Sequence, residues 1–320
     1  MPADEERARR LIKELELKGV NFGEPLERHT SLGIGGRAEV YARPADAAAL
    51  AALLSGDWRM PVYFLGGGTN LLITDEDIGG LFISTAGLTG IEILEGGSAP
   101  AVSVGAGEPL KRVLAFCMKN GFSGLEPLAG IPGSLGGAVA GNAGAHGLEI
   151  KDVIRRVHVM DKKGGLRELT PEQMDFRYRG SLILDNSGGP DDAGGIIVKA
   201  ELVLREGDPE EIREIMKRNF EMKKKTQPLC ARSAGCVFRN PAGHSAGRLI
   251  DEAGLKGMRV GDIEVSPVHA NFFVNRGDGR ARDFLELMDR VADRVKKLFG
   301  LQLEPEIRMI LRKTGYESER

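Results

Sequence analysis

Two glycine-rich stretches hold the residues best suited to gripping a ligand. GGGTNLL occupies 66–72, directly after the apolar run PVYFL. Three consecutive glycines followed by Thr69 and Asn70 offer several backbone N–H groups in a tight turn. Such a nest binds phosphate oxygens without a charged side chain. A plain turn between strands is the competing reading, and the motif alone does not decide. It is not a Walker loop, which needs Lys and Ser/Thr after its last glycine, and it lacks the G-x-G-x-x-G spacing of the dinucleotide fingerprint. The second stretch, GIPGSLGGAVAGNAGAHG at 130–147, sets Gly130, Gly133, Gly136, Gly137, Gly141, Gly144 and Gly147 among small and apolar residues. A flexible linker would be polar. With Ile131, Leu135 and Val139 inside it, this one is expected to be buried against something large and flat. Ser134 and Asn142 are then placed to hydrogen-bond a heterocycle or a phosphate, and a glycine-tolerant packing helix is the alternative. The two uncharged cradles start 64 residues apart (130 − 66 = 64) and together suit a dinucleotide with two phosphates and two rings.

Rigid elements must hold these loops. A short amphipathic helix is expected over 4–18 and an Ala/Leu-rich helix over 45–54. PVYFL and LFIST read as strands around the first glycine turn, and AVSVGAG (101–107) as another. The segment after it reads as a helix, with Pro109 near its start and Gly121 after its end. VIRRVHVM and GGIIVKAELVL resume strand character, and 186–195 reads as an exposed loop. Ile212, Ile215, Met216 and Phe220 keep helical spacing, as do Phe284, Leu287, Met288, Val291, Val295 and Leu298. Short strands are expected around CVF and NFFVN, with a last one at 302–311. The pattern argues for an α/β or α+β fold in three segments, 1–85, 86–206 and 207–320.

Composition narrows the partners. Glycine supplies 44 of 320 residues, about twice the usual share, and the excess sits in the loops above. Basic and acidic residues number 44 and 46, so there is no field for gripping nucleic acid or an anionic membrane. No apolar run approaches the roughly 18 residues of a membrane span, and the first twenty residues are charged throughout, unlike a signal peptide. Three scattered cysteines and five histidines give no metal-type spacing and fit a reduced cytosol. The expectation is a cytoplasmic protein that acts on small molecules, without a metal.

Seven blocks, in order, resemble one family: HTSLGIGGRAE (29–39), LGGGTNLLI (65–73), GLEPLAGIPGSLGGAVAGNAGAHG (124–147), FRYRGS (176–181), TQPLCARSAGCVFRNP (226–241), HANFFVN (269–275) and LEPEIR (303–308). The resemblance is to the UDP-N-acetylenolpyruvoylglucosamine reductases, flavoenzymes of bacterial peptidoglycan synthesis, and to their shorter type II form. It implies an α+β fold, with a two-part FAD-binding domain of the PCMH/vanillyl-alcohol-oxidase type in the first two segments. A smaller α/β substrate-binding domain follows. It implies non-covalent FAD, NADPH as hydride donor, and reduction of an enolpyruvyl ether to a D-lactyl ether. Transposed onto this chain, the cofactor-binding residues are Leu65, Gly66, Gly67, Gly68, Thr69, Asn70, Leu71, Gly130, Ile131, Gly133, Ser134, Gly136, Gly137, Asn142, Ala143, Gly144 and Ile197.

The resemblance also assigns the chemistry. Arg179 matches the catalytic arginine, whose guanidinium fork suits a carboxylate; Arg177 is its nearest rival. Cys236 matches the proton donor, which is serine in many relatives. A thiol is the stronger acid of the two. Glu306 matches the catalytic glutamate, although Glu304 shares its face of a regular strand. Asn240, Lys256, Arg308 and Arg179 are candidate substrate contacts. Two other readings stand beside the reductase. One is an FAD-dependent sugar or alcohol oxidase of the same superfamily, with His146 as the residue to consider for a covalent link. The other is a non-catalytic nucleotide-binding module.

Overall fold

A computed structural model describes residues 2–185 and 195–311; the loop expected at 186–195 lies outside them except for Gly195. The chain forms two compact units, one of residues 1–23, 39–67 and 79–222, the other of 24–38, 68–78 and 223–320. These are not contiguous stretches. Both early segments of the sequence contribute to the first unit. Residues 68–78 belong with the second because Leu71–Ile73 pairs in parallel with Arg308–Ile310, Leu72 opposite Met309.

The first unit has two sheets of four or more strands. One runs in the order Val20–Pro25, Arg37–Ala42, Ile78–Ser84, Val62–Leu65, the last two parallel. Helices α1 (Pro2–Glu14) and α2 (Ala47–Leu54) accompany it. Asp46 starts α2, its carboxylate accepting from the Ala49 N–H at 2.8 Å, the usual device for an orphan helix donor. Leu50, Leu53 and Leu54 of α2 are buried in one cluster with Val40, Leu81 and Ile83.

The other sheet is antiparallel, in the order Leu166–Leu169, Ile154–Met160, Ile196–Val203, Ala101–Gly105, Ile91–Leu94. Helix α3 (Leu110–Lys119) and the short α4 (Leu135–Ala140) share its core. Val113, Leu114, Cys117, Leu135 and Val139 are buried with Val104, Val157, Ala200 and Leu202. Most of the second glycine-rich stretch therefore surrounds a six-residue helix. After a short α5 (Leu182–Asp185), α6 spans Pro209–Thr226. Its buried side differs from the expected one: Phe220 is 44% exposed, and Asn219 turns inward instead, donating to the Glu126 carbonyl at 3.1 Å.

In the second unit, an antiparallel sheet runs Arg232–Cys236, Phe272–Asn275, Ile263–Val265, Arg259–Val260. Helices α7 (Ala246–Glu252) and α8 (Ala281–Phe299) share its core. The apolar spacing of α8 sends Phe284, Leu287, Met288, Val291 and Val295 inward, and burying such side chains contributes roughly 1.5–3 kcal/mol each. Leu298, the last of the expected set, stays exposed at the helix end. Gly300 closes α8 in a left-handed conformation, φ +71, which glycine adopts without strain. The strand expected over 302–311 shortens to Arg308–Ile310, since Pro305 has no N–H to pair.

Candidate active site

The glycine loops meet within the first unit. A Cβ on Gly67 would lie 2.8 Å from Gly133 Cα and 3.1 Å from the Ser134 nitrogen, and one on Gly66 would lie 3.4 Å from Ser134 Oγ. At Gly67 only glycine allows this approach. Gly66 and Gly67 are exposed, and among the described residues their N–H groups have no acceptor in the protein. Backbone donors without a partner beside a second glycine loop fit the oxygens of a dinucleotide. Gly130 and Gly133 are left-handed, φ +81 and +104. Gly137 donates to the Ser134 hydroxyl at 3.4 Å.

Other expected contacts have internal roles. Gly136 donates to the Ala106 carbonyl at 2.8 Å, and a Cβ there would meet Ala106 Cβ at 2.7 Å; it is a packing glycine. Ala143 bonds Ala138 and Ile150 through its backbone. Ile131 donates to Leu128. Leu65 and Ile197 are buried in their sheets. Asn142 is fully buried, with its side-chain amide held by the Arg177 carbonyl and the Lys151 N–H rather than turned to a heterocycle. In the second unit, Gly68 is buried beside Ser31 and His29, and Thr69 is half-buried. Leu71 pairs with Arg308. Asn70 donates to the Glu306 carbonyl at 3.1 Å.

Arg179 sits in a tight turn closed by reciprocal bonds between Arg177 and Gly180, 3.0 and 3.1 Å. It is half-buried and left-handed, φ +55, and donates to the Gly144 carbonyl at 3.1 Å. Arg177 is exposed and pairs with Asp175. The two arginines that sequence spacing left unresolved thus differ in burial and partner. Glu149, which nothing in the sequence marked, carries charge beside this turn. Its carboxyl lies below the ordinary range, chiefly through the Lys151 hydrogen bond, with Asn142 and the Arg179 charge adding.

In the second unit, Gly235 is left-handed, φ +78, and the strand register slips between Ser233 and Cys236. Cys236 follows this slip, half-buried and opposite Phe272. The next residue pins the acid: the Val237 carbonyl accepts from the N–H groups of Glu306 at 2.8 Å and Ile307 at 3.3 Å. Phe238 bridges Pro305, and Arg239 donates to the Glu304 carbonyl. Glu306 is half-buried where Glu304 is exposed. Asn271, 2% exposed, ties both backbone groups of Phe238 at 2.9 and 2.8 Å. The sequence did not flag that role either.

The remaining candidates have protein partners. Lys256 pairs with Asp251 at 2.6 Å. The Asn240 side-chain Oδ1 accepts from the Ala246 N–H at 3.0 Å, at the start of α7. Burial, then the nearby Lys256 charge, lowers the His269 pKa, and its Nδ1 accepts from the Asn271 N–H. The other thiols separate from Cys236. Cys230 is exposed, while burial and then the Glu126 charge push the Cys117 thiol up to about 12. His146 is exposed, with φ +51. Among the described residues no group of His, Cys, Asp and Glu is arranged to hold a metal ion, and among them no helix is long and apolar enough to cross a membrane.

A UDP-N-acetylenolpyruvoylglucosamine reductase from Halalkalibacterium halodurans is 38% identical over 306 residues, covering 93% of this chain and 97% of that one. The chain belongs to the UDP-N-acetylenolpyruvoylglucosamine reductase family. A reductase of this family from Heliobacterium modesticaldum is 41% identical over 290 residues, covering 90% of this chain and 89% of its own. The crystal structure of the reductase from Thermus caldophilus superposes with TM-score 0.74 at 37% identity, covering 89% of this chain and 97% of that one. Residues 227–310 match the C-terminal domain of these reductases, and residues 38–170 match an FAD binding domain family. The mixed α+β fold and the FAD-binding domain expected from the sequence are those of the family, and the chain is a flavin-dependent oxidoreductase.

Proposed function

We propose that this chain reduces UDP-N-acetylglucosamine enolpyruvate to UDP-N-acetylmuramate at the expense of NADPH, in the cytoplasm, as a step of peptidoglycan precursor synthesis. The observation that supports this most is the near-complete match to named reductases, 93% of this chain against 97% of the relative. FAD, when bound, supplies hydride transfer from NADPH to the enolpyruvyl double bond. The backbone N–H groups of Gly66 and Gly67 beside Gly133 and Ser134 would hold its phosphates.

The chain's own side chains then have distinct tasks. Reduction beside a carboxylate builds enolate-like charge on the substrate, and stabilising developing charge is where positioned donors act most strongly. The half-buried Arg179 offers a bidentate fork to that carboxylate. Cys236 delivers the proton to the carbon next to the one reduced, and the thiol proton is a better donor than that of an alcohol. Glu306, pinned to the residue after Cys236, stabilises the same charge as a protonated acid that donates a hydrogen bond, since a carboxylate would repel it. Arg308, Asn240 and Lys256 contact the substrate, Lys256 by exchanging Asp251 for phosphate.

The test is the visible spectrum of the purified protein, before and after anaerobic NADPH. Flavin bands that bleach with NADPH and return with UDP-N-acetylglucosamine enolpyruvate are the expected result. A flavin indifferent to NADPH but reduced by a sugar alcohol would overturn the reading in favour of an oxidase, and release of the flavin by acid would exclude a covalent link.

A further inference from the structure

Asn142 sits within the glycine-rich stretch, just after α4, and its surroundings explain why asparagine stands there. Its backbone is left-handed, φ +42, a conformation that asparagine tolerates better than most residues. Its side chain is completely buried. One amide hydrogen goes to the Arg177 carbonyl at 3.0 Å. The amide oxygen accepts from the Lys151 N–H at 3.3 Å. Of the side chains of this size, asparagine both donates and accepts through one fixed amide. Aspartate would set a carboxylate against the Arg177 carbonyl, and leucine would leave that carbonyl and the Lys151 N–H without the amide.

The group that Asn142 grips first belongs to the Arg179 turn. Arg177 and Gly180 close that turn. Ser181, also completely buried, fastens its far side by donating to the Ala140 carbonyl at 2.7 Å. The guanidinium itself rests on the Gly144 carbonyl. Both rivets and the rest thus fall within five residues of chain, 140–144, at the end of α4.

We infer that Asn142 is a positioning residue for Arg179, fixing the turn that aims the guanidinium and linking it to the glycine-rich stretch of the FAD-binding domain. The inference rests on the reading of Arg179 given above. Asn142 acts through Arg179 and needs no contact with substrate. Misplacing a reacting group by about 1 Å costs on the order of 100-fold in rate, so the variant should be slow although it lacks no chemical group.

A double-mutant cycle on the flavin-loaded enzyme tests it. Asn142→Asp keeps size and tolerance of the left-handed backbone, and Asn142→Gly replaces it should the first variant fail to fold. Each is combined with Arg179→Ala. Stopped-flow absorbance follows how fast UDP-N-acetylglucosamine enolpyruvate reoxidises the NADPH-reduced flavin. Asn142→Asp is expected to slow this by about 100-fold, while the double variant is no slower than Arg179→Ala alone, the signature of one pathway. A purely structural role would slow flavin reduction and reoxidation alike; the expected loss falls mainly on reoxidation. Multiplying losses in the double variant would overturn the inference and leave the Arg179 reading standing. Arg179→Ala at the wild-type rate would overturn both.

Discussion

The Arg179 turn and the Cys236 segment are held in opposite ways. The turn is an irregular loop fastened by buried side chains, Asn142 and Ser181, each reaching a backbone carbonyl. The Cys236 segment is fastened mainly backbone to backbone, through the Val237 carbonyl, the Phe238–Pro305 bridge and the pairing with Phe272. Asn271 is the one side chain that ties both backbone groups of Phe238 there. A backbone ladder survives most substitutions, because every residue but proline carries the same groups. Side-chain rivets do not. The arginine is therefore the more fragile of the two placements, although each residue is only half-buried.

Changing what the ladder carries, rather than the ladder, gives the largest effect. Cys236→Ala should lower product formation by about 10²–10⁴-fold, the usual worth of a proton donor, while NADPH still bleaches the flavin. Cys236→Ser should keep measurable turnover. Full turnover by the alanine variant would remove Cys236 from the donor role. Breaking the side-chain tie of Asn271 to Phe238 comes next. Asn271→Leu leaves the Phe238 N–H and carbonyl buried and unpaired, at about 1–3 kcal/mol each, and should lower the thermal midpoint by several degrees in calorimetry.

Removing one rivet of the turn should cost less in stability. Ser181→Ala loses about 0.5–1.5 kcal/mol. The comparison is sharpened if this mild variant nevertheless reoxidises its flavin more slowly than Asn271→Leu does at a temperature where both are folded. Equal rates would break it. The smallest effect is electrostatic. The Glu149 carboxyl is depressed in the folded chain, first by Lys151. Its contribution is therefore present above the unfolded carboxylate value of about 4.3 and lost as pH falls through the lower folded value. Wild type should exceed Glu149→Gln by at most about 1 kcal/mol near pH 6, with the gap shrinking as the pH falls below about 4.3 in denaturant titrations. A gap that widens with acid would show the sign to be wrong.

What could be read from the sequence follows the range of the interactions. Helix α8 announces itself because its core side repeats locally. Helix α6 misleads at Phe220, because Asn219 finds a carbonyl partner that no local pattern displays. The last strand is cut short by a single proline. Periodicity left Arg177 against Arg179, and Glu304 against Glu306, undecided. Burial separates each pair, and burial is set by distant residues. Asn142 reads as a ligand contact because its neighbours are glycines; its actual partners lie 35 and 9 residues away. The membership of 24–38 and 68–78 in the second unit is invisible for the same reason.

The pairing of Leu71–Ile73 with Arg308–Ile310 also sets a timetable. Its strands are separated by 308 − 71 = 237 residues. At roughly 5–20 residues per second of synthesis, with early domains folding first, residues 71–73 wait on the order of tens of seconds for their partner. During that interval the first unit's residues have all left the ribosome before Arg308 is made. The second unit, which carries Cys236 and Glu306, is the last to close. On this timetable the contact of Gly66 and Gly67 with Gly133 and Ser134 forms well before Cys236, the proposed proton donor, is held in place, so flavin capture is expected to precede catalytic competence during synthesis.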